Sequence, residues 1–68
     1  MISKIVGRNV KKKRKECGYS QEQLALAADI SPTLLRAIEH GEGNPTLKTL
    51  GKLAKQLGTT VDELMKKG

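Results

Sequence analysis

The 68-residue sequence has no tryptophan, no phenylalanine and a single tyrosine, Tyr19. Its core must therefore be packed from Leu, Ile, Val and Ala, and a chain of this size buries only about 60% of its unfolded surface. One cysteine, Cys17, excludes an internal disulfide. With one histidine beside it, His40, there is no plausible set of metal ligands. No apolar run approaches the roughly 18 residues of a membrane span, and the opening MISKIVGRN lacks the apolar middle of a secretion signal. Internal repeats, low-complexity tracts and linkers are missing too, which predicts one domain over 1–68 in the reducing cytoplasm. Gly-rich phosphate loops are absent, and His40 has no Cys, Asp or second His arranged for catalysis. Neither enzymatic activity, nor a cofactor, nor a small-molecule ligand is expected.

What the chain has is positive charge. Thirteen Lys and Arg against seven Asp and Glu give a formal net charge of +6 and a pI near 9.8. An anionic partner follows, and a membrane surface, a nucleic acid or an acidic protein would each satisfy the balance. Lys11, Lys12, Lys13 and Lys15 cluster where a first helix ends. Cations there compensate the helix dipole, or they attract phosphate as an interaction surface, and both can hold.

The remaining signals are helical. Ser3 is read as the cap of a first helix with Val6 and Val10 inward, ended by Cys17-Gly18. Ser20 with Gln23 three residues on makes a capping box that opens a second helix, in which Leu24, Ala25 and Ala28 form an apolar stripe permitting close approach. Asp29-Ile30-Ser31 breaks it. Ser31 then caps a third helix with Pro32 in its first position, Leu35 and Ile38 inward, and Gly41 as the closing residue. Thr46 caps a fourth helix, whose Leu47, Leu50, Leu53, Ala54 and Leu57 repeat at three and four before Gly58. Thr60 with Glu63 forms a second capping box ahead of Val61, Leu64 and Met65. These five helices, with no strand pattern, predict a compact all-α five-helix bundle. Two short helices joined by a three- or four-residue turn are the helix-turn-helix arrangement, whose second helix lies in a DNA groove. A rotation of 100° per residue turns Thr33, Arg36 and His40 outward, leaves Pro32 and Ala37 at the margins, and places Leu34 half buried against the core.

The segment Ser20 to Gly41, SQEQLALAADISPTLLRAIEHG, resembles the helix-turn-helix of the Cro and phage-repressor type, or Xre family. Ser20, Gln21, Leu24, Ala25, Ser31, Leu35, Ile38, Glu39 and Gly41 meet its pattern. The flanks Val6 to Val10, Arg14, Asn44 to Leu47, Leu53-Ala54, Leu57 and Asp62 to Leu64 agree with it. Lys13 and Asp29 depart from it, at positions where the family often has an apolar residue and Gly, and the third helix is unusually apolar. The resemblance implies the phage-repressor bundle, with helices 2 and 3 as the helix-turn-helix. It implies a Gln21 that contacts a DNA phosphate and braces the third helix, a structural Arg14–Glu39 ion pair, base-contacting positions at Pro32, Thr33 and Ala37, and a Leu34 exposed toward DNA where helix geometry alone makes it half buried.

The expected function is that of a sequence-specific transcriptional repressor acting on double-stranded DNA as a homodimer over two half-sites. Pro32, Thr33, Arg36 and Ala37 are its candidate base readers. Ser20, Gln21, Lys12, His40 and Asn44 are its candidate phosphate contacts, although His40 also fits a plain surface residue. The dimer interface is expected at Thr59, Val61, Leu64 and Met65. The alternative is a protein-interaction module, such as an antitoxin-like partner, with Leu26, Leu34 and Met65 as exposed anchors.

Overall fold

Side-chain oxygens start four of the five helices of the computed structural model, which describes residues 2–67: α1 (Ile2–Glu16), α2 (Gln21–Ala28), α3 (Pro32–Glu39), α4 (Leu47–Leu57) and α5 (Val61–Leu64). Ser20, Ser31, Thr46 and Thr60 each accept the backbone N–H three residues on, at 3.0 to 3.1 Å, satisfying a donor the helix itself leaves free. At Ser20 the box closes in both directions, since its own N–H donates to Gln23 Oε1 at 2.8 Å. At Thr60 the hydroxyl half of the expected box forms. Ser3 is different. It lies buried inside the first turn of α1, and its hydroxyl donates to the Gly43 carbonyl at 2.9 Å. It therefore ties α1 to the loop after α3 and is not the cap that the sequence indicated.

The inward stripes meet in one core containing Val6, Val10, Leu24, Leu35, Ile38, Leu50, Leu53, Leu57 and Leu64, with Ala25, Ala28 and Ala54 where helices approach most closely. Leu47, read as inward, and Leu34, read as half buried, fall outside it. Leu47, at the margin of the α4 stripe and in its first turn, is 71% exposed. Leu34 is 40% exposed because the inner face of α3 is tilted toward its other margin, Glu39, where α1 packs.

That tilt has a specific cause at Gly7. A Cβ there would stand 2.4 Å from the Ile38 carbonyl oxygen and 2.9 Å from that of Glu39, so the backbone of α1 rests directly on the end of α3. Two turns further along the same face of α1, Arg14 reaches Glu39. Its Nε donates to Oε2 at 2.6 Å and its Nη2 to Oε1 at 3.1 Å, while Nη1 donates to the Tyr19 carbonyl at 2.9 Å. Gln21, at the start of α2, adds Nε2 to Glu39 Oε1 at 3.0 Å. The ion pair implied by the resemblance is present, with the Glu39 side chain 1% exposed. Three charge-assisted bonds on one carboxylate join α1, α2 and α3.

Arg14→Ala should then lower unfolding stability by about 3–5 kcal/mol, because it leaves Glu39 charged and buried without its partner; Lys12→Ala should stay within about 0.5 kcal/mol. Denaturant titrations giving equal midpoints for both variants would contradict this. A second pair of variants separates close approach from helix propensity. Gly7→Ala forces α1 off α3 and should cost about 1–3 kcal/mol. Gly51→Ala, inside α4 with nothing within 4 Å of the added Cβ, should stabilise by about 0.5–1 kcal/mol. Thermal melts in which the two changes share a sign would overturn that account.

Candidate nucleic-acid interface

Helices α2 and α3 are held together through Leu24, Ala25, Ala28, Leu35 and Ile38, all buried. The turn between them passes through Asp29 at φ +58°, ψ +47°, a left-handed conformation that a short polar side chain tolerates better than most. Asp29 thus adopts the left-handed conformation at the position where the pattern that the sequence resembles often has Gly. Its N–H closes α2 on the carbonyls of Ala25 and Leu26, and Ser31 starts α3 two residues later.

With its inner face spent on the core, α3 presents Pro32, Thr33, Leu34, Arg36 and His40 to solvent, with Ala37 half buried. The four candidate readers therefore share one accessible face. Arg36 is the only cation within α3. Its Nη1 stands 3.5 Å from Glu22 Oε2 in the first turn of α2, and its Nη2 donates to Thr33 Oγ1 at 3.5 Å. Glu22 had no assigned role in the sequence, because a pairing between two helices leaves no mark in the spacing of either one.

The candidate phosphate contacts fall into two groups. Ser20 and Gln21 stand at the N-terminus of α2, His40 and Asn44 just beyond α3, and Ser20, His40 and Asn44 are exposed. Gln21 is half buried by its bond to Glu39, yet a primary amide has a second N–H to donate. Lys12 lies elsewhere. Five residues from Gly7, it is rotated about 140° away from the side of α1 that faces α3. It lines an open groove of about 330 Å³ with Asn9, Lys13, Glu16, Glu63 and the Lys66-Lys67 segment, where Asn9 Nδ2 ties that segment to α1 by donating to the Leu64 and Lys66 carbonyls at 2.8 and 2.7 Å. The cations of α1 nearest in angle to the side facing α3 are instead Lys11 and Lys4, about 40° and 60° from Gly7, with Lys15 and Arg8 further round at about 80° and 100°. Lys4 packs against Gly41, with its Cγ 3.0 Å from where a Cβ would be, and Lys4 and Lys11 are both exposed. Dividing the lysine run by helical angle, rather than treating it as one cluster, would have found Lys11.

The expected interface residues divide as well. Leu64 is fully buried in the core of its own chain and is removed from the set, since the α5 stripe faces inward at that position. Thr59, Val61 and Met65 remain half buried. Next to Met65 lies a mainly apolar hollow of about 110 Å³, lined by Val6, Pro45, Leu50 and the exposed Leu47, with Ser3 and Asn44 as its polar members. On the outer side of α2, Leu26 is 84% exposed.

The HTH_3 helix-turn-helix family model matches residues 10–64. Among curated proteins, the chain is 39% identical over 64 residues to an uncharacterised HTH-type transcriptional regulator, y4dJ, of Sinorhizobium fredii, covering 94% of this chain and 83% of that protein. It is 41% identical to the control protein C.SmaI of Serratia marcescens, covering 94% and 76%. Among solved structures, that of the biofilm master regulator SinR in complex with DNA superposes with a TM-score of 0.86 at 34% identity, over 90% of this chain and 98% of that one. The five-helix fold is thus shared with solved regulators of this type, and the chain is a member of the HTH_3, or Xre-type, helix-turn-helix family of transcriptional regulators.

Proposed function

We propose that the chain is a sequence-specific double-stranded DNA-binding repressor that occupies a two-half-site operator as a homodimer, with no cofactor and no catalytic step. The observation that carries this reading is the exposed face of α3, bounded by the N-terminus of α2 on one side and by His40, Asn44, Lys4 and Lys11 on the other. A helix inserted in the major groove needs phosphate donors on both of its flanks. An operator so occupied is denied to other proteins, which is repression by exclusion. SinR, similar over nearly the whole of the crystallised chain, was solved with DNA.

Affinity and specificity come from different residues. Backbone contacts by Ser20, Gln21, Lys4, Lys11, His40 and Asn44 set register and are indifferent to sequence. Base reading falls to Thr33 and Arg36, while Pro32 and Ala37 offer only apolar contact to a thymine methyl. A chain with one bidentate donor on its reading helix has modest intrinsic specificity, so two copies are needed. The twofold interface is proposed at Pro45, Leu47 and Met65 with Thr59 and Val61 at its margin, where the exposed Leu47 of one copy faces the apolar hollow of the other. This arrangement is isologous and closes after two copies, with half-sites about 34 Å apart.

A second reading, the protein-interaction module, rests on the exposure of Leu26 and Leu34. Salt separates the two. Binding to duplex DNA should weaken steeply as salt rises, whereas an interaction module should show little affinity for duplex at any salt. Lys11→Ala should reduce the slope of log K against log salt by about 1 and lower affinity evenly across sequences, while Lys12→Ala leaves the slope nearly unchanged. Asn44→Ala should weaken selected and random duplexes by similar factors. Negligible affinity for any duplex, or selected sites without inverted symmetry, would overturn the repressor reading or its dimer respectively.

A further inference from the structure

We propose that Glu22 is a positioning residue for base reading, whose carboxylate holds the Arg36 guanidinium beside Thr33 so that the guanidinium approaches a guanine with its direction fixed. This rests on the DNA-binding reading above. The supporting geometry is a guanidinium engaged at both terminal nitrogens, Nη1 by Glu22 Oε2 and Nη2 by Thr33 Oγ1, each at 3.5 Å. One partner on each side restricts rotation of the fork. The fork still has the donors needed to read a base. Of its five N–H groups one donates to Thr33 Oγ1, while Glu22 meets Nη1 at ion-pair distance, so each terminal nitrogen keeps an N–H for the O6 and N7 of guanine.

Charge supplies the second argument. Glu22 is 70% exposed at its side chain and follows Gln21 in the first turn of α2, where the DNA-binding reading puts a phosphate. An unengaged carboxylate there would repel the backbone of DNA. Paired with Arg36 it is neutralised locally, and the pair brings to the groove a planar donor with its direction already set. In free solution so exposed a pair shifts an equilibrium by no more than roughly fivefold. Excluding water from the groove strengthens it, and the ordering that Arg36 would otherwise undergo on binding is partly done beforehand. Thr33 completes the unit, with its methyl group available to a neighbouring thymine.

The test measures base preference at every position of duplexes selected from a random pool, using the full chain and its Glu22→Gln, Arg36→Ala, Glu22→Gln/Arg36→Ala and Glu42→Gln variants, with helicity measured for each. Glu42, exposed in the loop after α3, controls for loss of one negative charge. Both glutamine variants should bind random duplex slightly more tightly than the parent. Only Glu22→Gln should also lose preference for guanine at one base pair, by at least about threefold. Arg36→Ala should lose preference at that same pair, and the double variant should lose no more than Arg36→Ala alone. Unchanged or sharpened preference in Glu22→Gln overturns the proposal, as does a change at a different base pair that persists without Arg36, which would make Glu22 a reader of its own base. A parent chain with no base preference, or an Arg36→Ala variant that keeps it all, overturns the DNA-reading assignment itself and this proposal with it.

Discussion

The carboxylate of Glu39 is the point on which the arrangement of the first three helices depends. It is buried, it is charged, and its bonds come from α1 through Arg14 and from α2 through Gln21. A buried ion pair is a weak source of net stability, because desolvation of both ions offsets their attraction. What it supplies in this fold is direction. An apolar contact between α1 and α3 could slide by part of a turn at little cost, whereas a bidentate pair with a third donor has one good geometry. The direct rest of Gly7 on the carbonyls of Ile38 and Glu39 sets the distance, and the Arg14 fork sets the rotation.

That rotation determines which residues of α3 are available. With Glu39 turned inward, Leu34 at the opposite margin is pushed into solvent, and Thr33 and Arg36 come onto the face between them. The same constraint separates the lysines of α1. Lys4 and Lys11 end beside α3, and Lys12 and Lys13 end against the C-terminal segment. The lysines of α1 are thus divided between two sides of that helix, and only one of those sides borders α3.

Features that depend on a few consecutive residues were legible in the sequence. Caps at Ser20, Ser31, Thr46 and Thr60, the proline that opens α3, and the left-handed closures after α3 and α4 all express local chemistry, and the resemblance added the Arg14–Glu39 pair. Features that depend on which neighbour packs on which face were not legible. Ser3 has the chemistry of a cap but lies where the Gly43 carbonyl needs a donor. Leu47 and Leu64 carry the same side chain in stripes that look alike, yet one is outside and the other inside. Lys12 differs from Lys11 only by 100° of helix rotation, and Glu22 gains a role only once α3 is laid beside α2. In each case the missing quantity is an interhelical angle, which period and composition do not encode.

The central claim is that the face of α3 set by the Glu39 anchor meets DNA. Its most direct measurement is a titration of the isotopically labelled chain with duplex DNA, following each backbone amide by NMR. The account predicts shifts concentrated at Ser20 to Gln23, at Thr33 to Gly41 and in the loop to Asn44, with Asn9, Lys12, Lys13 and Glu16 on the far side of α1 unmoved. Shifts concentrated on that far side, or around Leu26 with α3 silent, would contradict it.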